Sequence, residues 1–172
     1  MKMVLAALSL LSAGVVARSV GQADNNNSRQ TLAGLTGLYV SVELKTDDAQ
    51  QNGSTEAQLR TDVELKLREA GIKVVAFGGI NGTPGAPYLY VGVSALPLKS
   101  IPGVYAVSVN ADLIQVIRLV RNPSTLALGR TWNATGVYGT LGASIVGEEV
   151  RKRVRDLADQ FINVYLAANP KR

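Results

Sequence analysis

Three groups of residues have the types and spacing to do chemistry. Asp48, Gln50, Asn52 and Gly53 match the opening of a calcium loop, but position twelve of that loop is Leu59 instead of the bidentate Glu it requires. A capped turn ahead of a helix accounts for the same residues. Neighbouring carboxylates occur at Asp47-Asp48 and Glu148-Glu149, and Glu43 and Asp112 each lie in β-patterned stretches. If the last two face each other on adjacent strands, they form the one pairing suited to glycoside hydrolysis, which needs carboxyl groups about 5–9.5 Å apart. Arg151, Lys152, Arg153 and Arg155 make a basic cluster that could meet phosphate.

The composition closes off other chemistries. The chain has no His and no Cys. It therefore has no imidazole base, no thiolate nucleophile, no disulfide and none of the usual zinc ligand sets. "GASIVG" misses the nucleophile-elbow spacing and would have no His to activate its Ser. "GGINGTPG" has neither the dinucleotide nor the P-loop pattern. No cofactor and no metal is expected.

The basic cluster reads as a solvated helix face. Glu148–Lys152, Glu149–Arg153, Lys152–Asp156 and Arg155–Asp159 are i,i+4 pairs, each worth about 0.2–0.5 kcal/mol. The bases are interleaved with acids, so a nucleic-acid role is not expected.

Those residues need elements to position them. Residues 1–23 read as a secretory signal peptide, with Lys2 ahead of an apolar run from Met3 to Val16 and small residues at Gly21 and Ala23. The run falls short of the roughly 20 residues of a membrane span, so no stable span is expected after cleavage. Cleavage would remove two of the 18 basic residues, and the 16 left against 13 acidic ones give a charge of about +3. Residues 24–35 read as a flexible leader, and 36–172 as a single domain.

Within that domain, "LYVSVELK" alternates with period two and predicts a strand. Thr55 and Gln58 form a capping box for a helix with Leu59, Val63, Leu67 and Ala70 on one side and Gly71 at its end. Leu65 falls on the opposite side. "IKVVAF" (72–77) predicts a second strand, Tyr88–Leu96 a third, and the stretch from Tyr105 a fourth whose phase blurs near Ile114, as at a bulge. A turn at Asn122-Pro123 leads to a last strand through Tyr138. Val146, Val150, Val154, Leu157, Phe161 and Val164 then make one apolar stripe on a long helix that stops before Pro170.

The order β-α-β-β-β-β-α predicts an α/β (α+β) two-layer sandwich: a mixed four- or five-stranded sheet with both helices on one face. The other face is then open. With the more aliphatic parity turned inward, Tyr39, Tyr88, Tyr90, Asn110, Arg130 and Trp132 point outward as candidate binding residues. Tyr, Trp and Arg are the types enriched at interfaces. The leading expectation is an exported, non-catalytic protein that binds a protein or envelope component through that face or a sheet edge. A small secreted carboxylate hydrolase is the alternative.

"QLRTDVELKLREAGIKV", "PYLYVGV", "VRNPS", "RTW" and "FINVYLAANPK" resemble a family of uncharacterised secreted bacterial proteins. The element order is also similar to small envelope domains, the lipopolysaccharide-assembly lipoprotein and the N-terminal domain of TolB, although this chain has no Cys to acylate. The resemblance implies a bacterial periplasmic or secreted setting and no particular catalytic residue.

Overall fold

The computed structural model describes residues 26–46 and 54–170. The proposed signal peptide, Asp47-Asp48 and most of the calcium-like loop lie outside these residues. The fold is a four-stranded mixed sheet, in the order β1-β2-β3-β4, with helices on one side. β1 (Tyr39–Lys45) runs parallel to β2 (Tyr88–Pro97), and β2, β3 (Val104–Leu119) and β4 (Asn122–Gly142) form an antiparallel meander.

Of the two long helices, the first carries a side-chain cap at its N-terminus, and each presents one apolar stripe. A short helix α1 spans Asn26–Gln30. In α2 (Glu56–Glu69) the capping box closes as the spacing predicts: the Gln58 N–H donates to Thr55 Oγ1 at 3.2 Å, and the Thr55 N–H donates to Gln58 Oε1 at 3.0 Å. Gly71, at φ +81°, ends the helix in the left-handed conformation that glycine adopts without steric cost. Leu59, Val63 and Leu67 are fully buried, and Leu65 is exposed. α3 (Val146–Ala168) buries Val146, Val150, Val154, Leu157, Ala158 and Phe161. Both stripes join one core with Val40, Leu89, Val91, Val109 and Leu113, so both helices cover the same face. α2 lies against β1, and α3 crosses β3, β4 and β2.

Three expectations are corrected. The predicted strand at 72–77 shrinks to a single parallel bridge between Leu38 and Val74. The Leu38 N–H donates to the Lys73 carbonyl at 3.0 Å, and the Val75 N–H donates to the Leu38 carbonyl at 2.9 Å. Only Ile72 of this run is buried, so little holds it to the edge, and it turns off into a 3-10 helix at Phe77–Gly82. Second, the leader expected to be flexible is folded onto the domain from Asn26 onward. Its anchor is Leu32, fully buried, beside which the Asn169 side chain accepts from the Gly34 N–H at 2.8 Å and donates to the Leu32 carbonyl at 2.9 Å. Beyond the polar run that ends at Gln30, Leu32 joins the core and Leu35 packs against it.

The third correction concerns Trp132, which points into the core, not outward. It stands opposite Leu113, is 4% exposed, and meets Phe161 edge-on with ring centroids 5.2 Å apart. The suspected bulge is real: the β3–β4 register shifts between Leu113 and Ile114, which pairs with Arg130. The extra residue on β4, Thr131, puts Arg130 and Trp132 on opposite faces where simple alternation would put them together.

These placements give opposite mutational outcomes. Trp132→Ala is expected to cost about 3–5 kcal/mol, the range for deleting a buried large aromatic. Arg130→Ala is expected to stay within about 0.5 kcal/mol, as exposed sites do. Denaturant midpoints of the two variants check the register, and a reversed ranking would contradict it.

Candidate functional site

The open face can be assembled row by row from the strand register. Tyr39, Tyr88 and Ile114 form one row across β1, β2 and β3. Ser41, Tyr90 and Asp112 form the next, then Glu43, Gly92 and Asn110, then Lys45, Ser94 and Ser108. These are the parity opposite to the buried aliphatics, and neither α2 nor α3 covers them. Tyr39, Tyr88, Tyr90, Asn110 and Arg130 therefore share one face, and Trp132 does not.

Hydrogen bonds between side chains hold the face in place. The Tyr90 hydroxyl donates to Glu43 Oε2 on the neighbouring strand, and Lys45 Nζ lies 3.3 Å from Glu43 Oε1. Asn110 Nδ2 donates to Asp112 Oδ2 at 3.0 Å, and Arg130 Nη1 approaches Asp112 Oδ1 at 3.5 Å. Gly92 makes this arrangement possible. A Cβ there would lie 2.7 Å from Asn110 Oδ1 and 3.1 Å from the Tyr90 ring, so only glycine lets both side chains lie across it. The result is a shallow depression of about 150 Å³ lined by Glu43, Lys45, Tyr90, Gly92, Ser94 and Ser108, among others.

The electrostatics follow from the same contacts. The Tyr90 hydrogen bond and then Lys45 hold the Glu43 carboxyl below its ordinary range. The Tyr90 phenol is pushed up to about 12, first by its hydrogen bond to Glu43 and then by burial. Glu43 is thus held as an anion and Tyr90 as a neutral donor. Neither is poised for proton transfer near neutral pH.

Glu43 and Asp112 do not sit on adjacent strands. β2 lies between β1 and β3, and Tyr90 stands between the two carboxylates. Each accepts from its own neighbours, and the depression includes Glu43 but not Asp112. Among the described residues, no cluster of three or more acidic side chains could hold a metal ion.

Two of the four residues of the basic cluster on α3, Arg151 and Arg155, are spent on α2. Arg151 grips Asp62 with two hydrogen bonds of 2.5 and 2.8 Å, and Arg155 approaches the same carboxylate at 3.5 Å. Lys66 of α2 meets Asp159 at 2.6 Å. Of the intrahelical pairs read from spacing, Glu149–Arg153 is observed, at 3.7 Å. Arg155 turns to Asp62, and Asp159 to Lys66, because the helices lie side by side. The residue missed by sequence reasoning is Phe77. It is 72% exposed and packs edge-on against Tyr39, with centroids 5.5 Å apart. An aromatic directly ahead of Gly78-Gly79 was its only signal.

No family model and no curated protein sequence matches the chain. Among solved structures, a point variant of PelC from Paraburkholderia phytofirmans, a dodecamer, is similar at 16% identity and a TM-score of 0.42, over 73% of this chain and 89% of that one. A second PelC dodecamer from the same organism is similar at 19% identity and 0.36, over 80% and 92%. The rare lipoprotein B from Shewanella oneidensis is similar at 14% identity and 0.29, over 76% and 92%. Among the described residues, no helix is long and apolar enough to cross a membrane.

The Tyr90–Glu43 contact has a spectroscopic signature. In a phenolate absorbance titration, one tyrosine should ionise near pH 12, against an ordinary value of 10.0. A raised phenol pKa contributes stability that is complete below pH 10 and lost as pH climbs through about 12. The lowered Glu43 acts in the opposite sense, and its contribution fades as pH falls below the ordinary carboxylate value. Tyr90→Phe should delete the late component, and Glu43→Gln should bring it back toward 10.0. An unchanged titration curve in both variants would rule the contact out.

Proposed function

We propose that the protein is an exported, non-catalytic binding protein that recognises a protein or envelope component through the open sheet face. The observation that supports this best is the face itself. Three tyrosines, an amide and an exposed arginine lie on one face that neither α2 nor α3 covers, with Tyr90, Asn110 and Arg130 held by contacts to side chains of the same face and Tyr39 by Phe77. Such residues lose little freedom on binding, which lowers the entropic cost of association. The separated and committed carboxylates weigh against the hydrolase reading. Export rests on the N-terminal pattern of a basic residue, an apolar run and small residues.

Photo-cross-linking in the native envelope tests the proposal. A photoreactive amino acid at Tyr88 or Arg130 is expected to give a discrete adduct, which Tyr90→Ala weakens. The same group at Lys152, exposed on α3, is expected to give none. Equal adducts from Lys152 and the sheet positions would defeat the assignment of the face.

A further inference from the structure

β3 and β4 continue past the rest of the sheet. β2 begins at Tyr88, opposite Ile114, so residues 115–129 form a two-stranded arm that runs on for about 17 Å. It ends in a two-residue turn at Val120-Arg121, between paired Leu119 and Asn122. Its base is braced from outside by a hydrogen bond of 2.8 Å from the Val116 N–H to the Gly85 carbonyl and one of 3.1 Å from the Gln115 side chain to the Thr31 carbonyl. Gln115 also donates from its side chain to Thr131 Oγ1 at 2.7 Å.

The arm carries apolar side chains into solvent. Val120 at its apex is 96% exposed, Leu128 64%, Leu126 58% and Val116 37%. The register places Val116 opposite Leu128 and Arg118 opposite Leu126, so these four share the side that continues the open face. Isolated exposed apolar residues are ordinary, but a contiguous set on a projecting element marks a contact surface.

Charge indicates what it contacts. From Leu113 to Gly147 the chain has no Asp or Glu, and its only charges are Arg118, Arg121 and Arg130. Arg118 donates to the Pro123 carbonyl, which keeps its guanidinium against the turn. No acidic side chain among the described residues pairs with Arg118 or Arg121. An aliphatic apex ringed by unneutralised guanidinium groups matches a bilayer surface, with hydrocarbon below and phosphate at headgroup level. A second copy of the arm would bring like charges together.

We propose that the β3–β4 arm docks on an anionic lipid surface, with Val120 entering the interface and Arg118 and Arg121 meeting headgroup phosphates. This does not rest on the open-face reading, because the photo-cross-linking at Tyr88 reports on that face independently.

The absence of cysteine makes the test direct. Val120→Cys in the full chain, labelled with an environment-sensitive dye, should shift to the blue with vesicles containing phosphatidylglycerol. It should not shift with pure phosphatidylcholine, although the apolar run at residues 3–16 could engage either. Label at Lys152→Cys should respond to neither. Arg121→Gln should weaken the response roughly fivefold, and adding Arg118→Gln about 30-fold in all, at about one surface-bound arginine's worth each. Raising salt should act in the same direction. No shift with anionic vesicles, or an equal shift with both kinds, overturns the proposal. So does a shift that grows with protein concentration without lipid, which would make the arm an interface between copies.

Discussion

Alternate side chains of four strands meet one stripe on each of two helices, and the dryness of that layer constrains everything else in the molecule. Val40, Leu89, Val91, Val109 and Leu113 come from the sheet, and Leu59, Val63, Leu67, Val154 and Phe161 from the helices. A large aliphatic or aromatic side chain moved out of this layer forfeits about 1.5–3 kcal/mol of burial. That penalty explains the bulge at Leu113–Ile114. Regular pairing would turn either Trp132 or the residues beyond it the wrong way, and one unpaired residue on β4 costs less than an exposed indole.

Because the apolar parity is used on one side, the polar parity of the same strands is left together on the other. It is organised as small contacts: Tyr90 with Glu43 on the next strand, Asn110 with Asp112 along β3, and Arg130 of β4 at the rim. The helices use their charges differently. Asp62 draws Arg151 and Arg155, and Asp159 draws Lys66, so ionic contacts join the two helices along their solvent side. Such partly exposed pairs add little stability singly. Their consequence is that Arg151 and Arg155, in the most basic segment of the sequence, already share a carboxylate within the fold.

Much of this was legible from residues. The capping box at Thr55, the stop at Gly71, the apolar stripes and the period-two strands are local patterns, and local patterns survive into the fold. The one-sided sandwich followed because neither helix had a second apolar stripe. What was hidden depended on distant residues. Leu32 follows a polar run too closely to show a period of its own, and only its burial and the Asn169 side chain show why it is fixed. The run at 72–77 has strand composition, yet the burial it would need is lacking. Trp132 was assigned to the open face because alternation was carried through a bulge whose position, though not its effect, could be read. The candidate face was otherwise recovered, since Tyr39, Tyr88, Tyr90, Asn110 and Arg130 share it. Which carboxylates converge depends on strand order, and no pattern within one strand reveals that β2 separates Glu43 from Asp112.

The clamp between Asn169 and the segment around Leu32 joins stretches more than 130 residues apart in sequence. The β2–β3–β4 meander can zip together as each strand becomes available, but Leu32 has no complete berth until the last turn of α3 exists. A single asparagine, donating and accepting at once, therefore ties the last turn of α3 to the stretch that precedes β1.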